Sequence, residues 1–146
     1  MKRHDALIPL THDHHHALAQ ARRLHMSSEG DPERWVEAAR AFLEFYKKDT
    51  LAHFHEEEEE IFPLVVDEPE VERPLTRVLL EHLRIHRSVH KLQDEVDRGS
   101  PSAKTMAEIS TLLQDHIRFE EKTLFPLVER LAPTGLGTVE LAARNR

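Results

Sequence analysis

A twelve-residue pattern occurs twice in this chain, and it constrains the fold more than any other feature. Residues 53–64 and 116–127 align without a gap, and both read H-x3-E-E-x3-F-P-L. An acidic residue followed by histidine precedes each copy, as Asp13-His14 and as Glu81-His82. A repeat of this kind indicates one structural unit that is used twice, and the unit is predicted to be a helical hairpin.

Proline and glycine divide the chain into four long segments, at about residues 7–26, 33–66, 74–98 and 101–131. Apolar residues recur three and four positions apart in every segment; in the third these are Leu75 and Leu79, and then Ile85, Val89, Leu92 and Val96. Each segment is therefore predicted to be an amphipathic helix. Four such helices with mostly short links predict an all-α, antiparallel up-down-up-down four-helix bundle with an internal helical-hairpin repeat.

Length and charge limit the kind of protein further. The 146 residues are predicted to form a single domain, with the bundle over about residues 7–131 and an irregular tail over residues 132–146. The net charge of −7, without a cluster of basic residues, argues against nucleic acid as a partner. The sequence has no secretory signal and no apolar run that could span a membrane, so a cytoplasmic location is expected.

Histidine and glutamate interrupt the apolar faces near the middle of the predicted helices. Three pairs lie one helical turn apart on a shared inward face: His53 and Glu57, His82 and His86, and His116 and Glu120. A carboxylate in an apolar core is costly unless it is paired or bound to a cation. Imidazole binds divalent transition metals, and carboxylates can bridge two ions. The sequence therefore predicts a metal site in the core.

The ligand from the first helix is open among His12, His14, His15 and His16. His14 continues the apolar face of this helix and is preferred, whereas His15 would replace it if the helix were rotated by one position. The stretch from His14 to His53 is five residues longer than that from His82 to His116, so the first connection or the second helix must accommodate the difference.

Two other features of the second helix, a run of glutamates and a tyrosine, are interpreted as structural rather than functional. The run of five glutamates over residues 56–60 passes around the whole helix, so only Glu57 faces inward, with Glu58 at the rim of the site. Tyr46, two turns before His53, is expected to be a packing residue. The sequence has no cysteine, which excludes thiolate metal sites and iron–sulfur clusters.

The combined motif resembles the hemerythrin-like (HHE) family over about residues 7–131: H-x3-E on the second helix, H-x3-H on the third, H-x3-E on the fourth, and an acid–His step on the first. The resemblance implies an oxo- or hydroxo-bridged centre of two non-haem iron ions, with zinc or another divalent metal as a substitute. It implies seven ligands: His14, His53, Glu57, His82, His86, His116 and Glu120. Oxygen-carrying members have aspartate where this chain has Glu121, which argues against simple oxygen transport.

The resemblance implies a protein that binds or senses O2, NO or peroxide. One alternative is a peroxidase- or catalase-like enzyme that uses the same site. Another is a binding module with a structural metal and an unknown protein partner, although the surfaces are expected to carry mixed charge without an exposed apolar patch. Ferritin-like ligation is disfavoured, because no histidine has glutamate three residues before it.

Overall fold

The computed structural model describes residues 2–141 of the chain, and these form four long helical segments with no strand among them. Their α-helices are α1 (Ile8–Ser28), α2 (Trp35–Phe45), α3 (Leu51–Glu56), α4 (Glu72–Asp97), α5 (Ala103–Phe119), α6 (Phe125–Leu131) and the short α7 (Pro133–Leu136). The predicted helical bundle is confirmed. No helix among the described residues combines the length and the hydrophobicity that a membrane crossing requires.

Short turns extend or join these helices into the four segments. Tight 3-10 turns occur at Asp5–Leu7, Pro32–Arg34, Phe62–Leu64 and Pro69–Val71, and wider π turns occur at Tyr46–Thr50, Glu57–Ile61 and Glu120–Leu124. The first segment thus covers residues 5–28, the second 32–64, the third 69–97 and the fourth 103–131. Neighbouring segments run antiparallel: the guanidinium of Arg3, before the first segment, pairs with Glu129 near the end of the fourth.

The segment ends follow from local side-chain chemistry. The carboxylate of Asp31 accepts a hydrogen bond from the backbone N–H of Glu33, and the hydroxyl of Ser102 accepts one from the backbone N–H of Thr105. Each satisfies a donor that the first turn of a helix leaves unpaired. Gly99 ends the third segment with a φ of +72°, a left-handed conformation that glycine adopts without a steric penalty.

Both copies of the sequence repeat contain a π turn at the same place. Glu57–Ile61 and Glu120–Leu124 each begin at an inward-facing glutamate and end just before a Phe-Pro pair. Pro63 and Pro126 have no N–H to donate to the preceding turn, so the regular α-helical pattern cannot continue unchanged through them. Isolated π turns are frequent at functional sites, because they alter the direction of the side chains around them.

Two apolar clusters fill the two ends of the bundle. One contains buried residues such as Phe42, Ile85 and Met106, and the other contains Leu10, Val78 and Phe125. The buried histidines and glutamates belong to neither cluster. The polar residues of the core therefore lie between two apolar clusters.

The third segment differs from the predicted apolar stripe at one point. Leu79 is 43% exposed, whereas Val78 is fully buried. After Leu75, the next inward-facing residue of this helix is Val78, three positions later, and not Leu79, four positions later. Either spacing is close to one helical turn, which contains 3.6 residues. Leu79 lies one residue from the exposed Leu80 and four from the exposed Leu83, so this helix has three partly exposed leucines.

The predicted irregular tail also differs in its described part. Pro133–Leu136 forms one short helix, and Leu136 is completely buried within the second apolar cluster. A buried leucine in a short turn closes this end of the bundle without a long helix. Residues 142–146 of the predicted tail lie outside the described part of the chain.

Candidate metal centre

Six buried side chains meet in the middle of the bundle, and all of them are histidine or glutamate. They come from all four segments: His14, His53, Glu57, His82, His116 and Glu120. None of them is more than 5% exposed. Burial of this many polar groups in one layer requires either mutual pairing or bound cations.

The six side chains form two groups that share their glutamates. His14 and His53 belong to one group, His82 and His116 belong to the other, and Glu57 and Glu120 belong to both. Within each group, one potential ligand atom per residue lies within 4.8 Å of all the others. The structure therefore brings together two adjacent four-residue cages with a common pair of carboxylates.

The Nε2 atom of every histidine in these groups faces a shared glutamate. For Glu57, the distances to Nε2 are 3.4 Å from His53 and 3.2 Å from His82. For Glu120, they are 3.3 Å from His116 and 2.9 Å from His14. Each glutamate thus meets one histidine of its own segment, four residues earlier, and one histidine of a neighbouring segment.

The Nδ1 atom of every histidine contacts a second carboxylate outside the central layer. The four hydrogen bonds are His53 to Asp13 at 2.9 Å, His82 to Glu58 at 2.7 Å, His116 to Glu81 at 2.9 Å and His14 to Glu121 at 2.6 Å. An Nδ1–H that donates to a carboxylate fixes the ring orientation and directs Nε2 inward. This is how proteins orient histidines that bind metal.

The four outer hydrogen bonds follow the internal repeat. Asp13–His53 in the first half corresponds to Glu81–His116 in the second, and Glu58–His82 corresponds to Glu121–His14. Each bond joins a segment to the next one, and the last joins the fourth segment to the first. We call this set of four bonds the carboxylate–histidine ring.

Two members of the carboxylate–histidine ring are supported from farther out. Glu121 accepts hydrogen bonds from the hydroxyl of Thr11 at 2.8 Å and from the guanidinium of Arg3 at 3.1 Å. Glu81 accepts one from Arg77 at 3.1 Å. These contacts leave the two carboxylates ionised and hold them in the orientation that their histidines need.

The central layer leaves polar atoms without hydrogen bonds, although such atoms are rare in protein interiors. Among the described residues, these inward-facing atoms are Nε2 of His53, His82 and His116, both carboxylate oxygens of Glu57, and Oε2 of Glu120. They are the atoms that would bind a cation. Their chemistry, imidazole nitrogen and carboxylate oxygen without sulfur, fits a divalent first-row transition metal.

The two shared glutamates have opposite protonation preferences. Burial, together with the negative charge of Glu120, raises the pKa of Glu57 to about 8. Burial opposes ionisation of Glu120 too, but the adjacent charge of His116 and its hydrogen bonds hold the pKa of Glu120 well below its ordinary value. Without metal at neutral pH, one glutamate is therefore protonated and the other is ionised.

The histidines of the layer bind protons more readily than ordinary histidines. Burial lowers the pKa of His116, but the charge of Glu120 and the hydrogen bond to Glu81 outweigh it and raise the pKa to about 10. The pKa values of His14 and His82 are raised against the effect of burial as well, by two neighbouring glutamates each. Protons therefore replace metal as the positive charge in the metal-free site.

The four candidate histidines of the first helix differ in burial. His14 enters one of the two groups, whereas His12, His15 and His16 are exposed.

His86 is the predicted ligand that neither group contains. It is half-buried one turn beyond His82, and its Nδ1 lies 2.5 Å from the hydroxyl oxygen of Tyr46. Its role as a ligand stays a prediction.

Sequence reasoning identified the inner layer but missed the function of the outer carboxylates. The sequence predicts Glu58 only at the rim of the site, and Glu121 only marks a departure from oxygen carriers. The available signal is the repeat itself, because an acid adjacent to an inner residue recurs at two matched places in both halves, as Asp13 with Glu81 and as Glu58 with Glu121.

A cavity of about 240 Å³ opens beside the central layer, between the first, second and fourth segments. Three of the layer's histidines, His14, His53 and His116, form part of its wall. The apolar part of the wall includes Ala17, Phe45, Phe54, Leu113 and Ile117. One water molecule occupies about 30 Å³ in the liquid, so the cavity holds several small molecules or one larger polar molecule.

Comparison with known families agrees with this geometry. The family model described as the hemerythrin HHE cation binding domain matches residues 6–128, a range that contains all six side chains of the central layer. Neither the curated proteins nor the solved structures that were compared gave a match.

Proposed function

The chain belongs to the hemerythrin HHE cation-binding domain family, and from this premise we propose that it holds two non-haem iron ions that bind or sense O2, NO or peroxide. One observation carries the proposal: two four-residue groups share Glu57 and Glu120. A carboxylate has two oxygens and can contact two ions, so shared glutamates favour a dinuclear centre over a single ion.

The donor set supports iron more than other common metals. Each proposed ion would receive two histidines and shared carboxylates. Two histidines with carboxylate and open positions are typical of non-haem ferrous sites, whereas structural zinc sites are usually closed by four ligands that include thiolates. When bound, ferrous ions with an open position supply reversible binding or reduction of O2, NO or peroxide.

The protein's own residues orient and isolate this centre. The carboxylate–histidine ring fixes all four imidazoles, and the apolar clusters above and below keep bulk water out. The cavity beside His14, His53 and His116 is the route by which a small ligand reaches the centre. Its volume of about 240 Å³ is ample for O2, NO or peroxide, and peroxidase-like turnover at the same centre is the second candidate function.

The proposal is tested by anaerobic loading of metal-free protein with ferrous iron. We expect two iron ions per chain, and new visible absorption after addition of O2, NO or hydrogen peroxide. The paired substitution Glu57→Gln and Glu120→Gln should abolish dinuclear loading, whereas Glu59→Gln, which changes an exposed residue, should not. Uptake of one ion only, or a loaded protein whose spectrum responds to none of the three ligands, would contradict the proposal.

A further inference from the structure

Tyr46, the single tyrosine of the chain, forms a short hydrogen bond with the histidine that lies outside the two metal groups. Its Oη atom lies 2.5 Å from Nδ1 of His86. The Tyr46 side chain is 5% exposed, and that of His86 is half-buried. Packing alone does not require a phenol and an imidazole to meet at this distance. The arrangement gives the phenolic proton an acceptor within reach.

The contact between the two residues has one direction when the imidazole is neutral. The phenolic O–H of Tyr46 donates the hydrogen bond, and Nδ1 of His86 accepts it.

A chain of aromatic contacts leads from this pair to the central layer. The rings of Tyr46 and His86 meet edge to face at 5.8 Å, and Phe54 meets His86 in the same way at 5.4 Å. Phe54 also stacks on His82, a member of the layer, at 3.8 Å between centroids. Ring contacts of this kind leave no gap in the van der Waals packing between Tyr46 and the metal groups.

The other side of Tyr46 faces a cavity of about 230 Å³ at the protein surface. Its wall combines apolar and polar side chains, which are Leu43, Lys47, Val89, His90, Gln93 and Asp94. This cavity is separate from the one beside His14, with which it shares no lining residue. Tyr46 therefore lines this outer cavity and is connected to the central layer through His86 and Phe54.

We propose that Tyr46 and His86 form a redox-active pair, which passes single electrons from a small reductant in the outer cavity to the metal centre. This inference rests on the proposed di-iron function. The loaded centre would give two electrons to hydrogen peroxide, which takes up two protons from solvent and leaves as two molecules of water. Tyr46 then gives one electron to the centre and its phenolic proton to Nδ1 of His86, which leaves a neutral tyrosyl radical and an imidazolium.

The cycle closes when a reductant in the outer cavity returns the electron and His86 returns the proton. A phenol or an enediol is the class of reductant that fits, because both donate single electrons and are small enough for about 230 Å³. The reductant is oxidised by one electron for each electron that the centre receives. Peroxide and reductant thus use two separate cavities.

The test is rapid freezing of iron-loaded protein after mixing with hydrogen peroxide, followed by electron paramagnetic resonance. We expect a tyrosyl radical in the wild type, assigned to Tyr46 by a narrower signal when the protein contains ring-deuterated tyrosine. Tyr46→Phe should remove the signal while iron content stays the same. His86→Phe should lower the radical yield several-fold, because the phenolic proton loses its acceptor. His25→Phe, which changes an exposed histidine of the first segment away from both cavities, should leave the yield unchanged.

The outcomes separate this inference from the proposed function. A wild-type protein that binds two iron ions and responds optically to peroxide, but forms no tyrosyl radical, would overturn the redox pair and leave the proposed function intact. Loss of iron from His86→Phe would make His86 a ligand and overturn the pair as well. A chain that binds no iron would overturn both proposals.

Discussion

Glu58 accepts a 2.7 Å hydrogen bond from Nδ1 of His82, although the two residues lie on different helical segments. The preceding residue, Glu57, lies 3.2 Å from Nε2 of the same imidazole. Two consecutive glutamates therefore contact opposite edges of one ring. Glu57 belongs to the layer that would bind metal, and Glu58 determines how the ring is presented to it.

Glu58→Gln should weaken metal binding without removing a ligand. An amide supports the His82 ring less strongly than a carboxylate, and loss of such outer partners typically costs about 10- to 100-fold in metal affinity. Competition with a chelator measures the change. Glu59→Gln is the matched control, because Glu59 is exposed in the same run of glutamates. Equal affinities of the two variants would show that the outer hydrogen bond is not needed.

Metal binding should release protons, and metal affinity should fall as the pH falls. The raised pKa values of Glu57, about 8, and His116, about 10, mean that both groups carry protons in the metal-free protein at neutral pH. A metal ion must displace these protons, so lower pH favours the metal-free form. Calorimetry in buffers of different ionisation enthalpy measures the release. A buffer-independent enthalpy at neutral pH would contradict the prediction.

Glu57→Gln and Glu120→Gln should differ in the metal-free protein. Glu57 is protonated at neutral pH, so a neutral amide replaces a neutral acid and the free energy of unfolding should change little. Glu120 is ionised and contacts His14 at 2.9 Å and His116 at 3.3 Å. Its loss leaves buried positive charge uncompensated, which costs about 3–5 kcal/mol. Urea unfolding of chelator-treated protein measures both, and equal losses would exclude this assignment of charge.

Ala17→Leu should slow the access of small ligands to the centre. Ala17 lies in the wall of the 240 Å³ cavity next to His14, and a larger side chain there fills part of the space. We expect the rate of NO binding to the iron-loaded protein to fall several-fold in stopped-flow measurements, with unchanged iron content. Ala19→Leu on the exposed face of the same helix is the control. An unchanged rate in Ala17→Leu would mean that ligands enter elsewhere.

The helical segments and the inner layer were accessible from the sequence because both depend on spacing along one helix. Apolar residues at three and four positions gave the inward faces, and the repeat placed His53 with Glu57 and His116 with Glu120 on them. The structure brings all four of these residues into the two groups. Local periodicity suffices where one helix supplies the whole pattern.

The outer carboxylates and the position of His86 depended on information that a single helix does not contain. Whether Glu121 reaches His14 is decided by the distance and angle at which the fourth segment packs on the first. His86 follows His82 by four residues, as Glu57 follows His53, but one turn advances a helix by about 5.4 Å. Whether the side chain one turn later points back to the layer depends on the helices packed around it: Glu57 lies in the two groups, and Nδ1 of His86 contacts Tyr46.

The carboxylate–histidine ring has a consequence for how such a centre can be assembled. Asp13–His53 lies within the first hairpin, and Glu81–His116 lies within the second. The other two bonds, Glu58–His82 and Glu121–His14, join one hairpin to the other. One hairpin alone can therefore neither close the ring nor supply both shared glutamates. Two copies of one hairpin related by a twofold axis would supply all four bonds and both shared glutamates, so the ring itself does not require the two hairpins to belong to one chain.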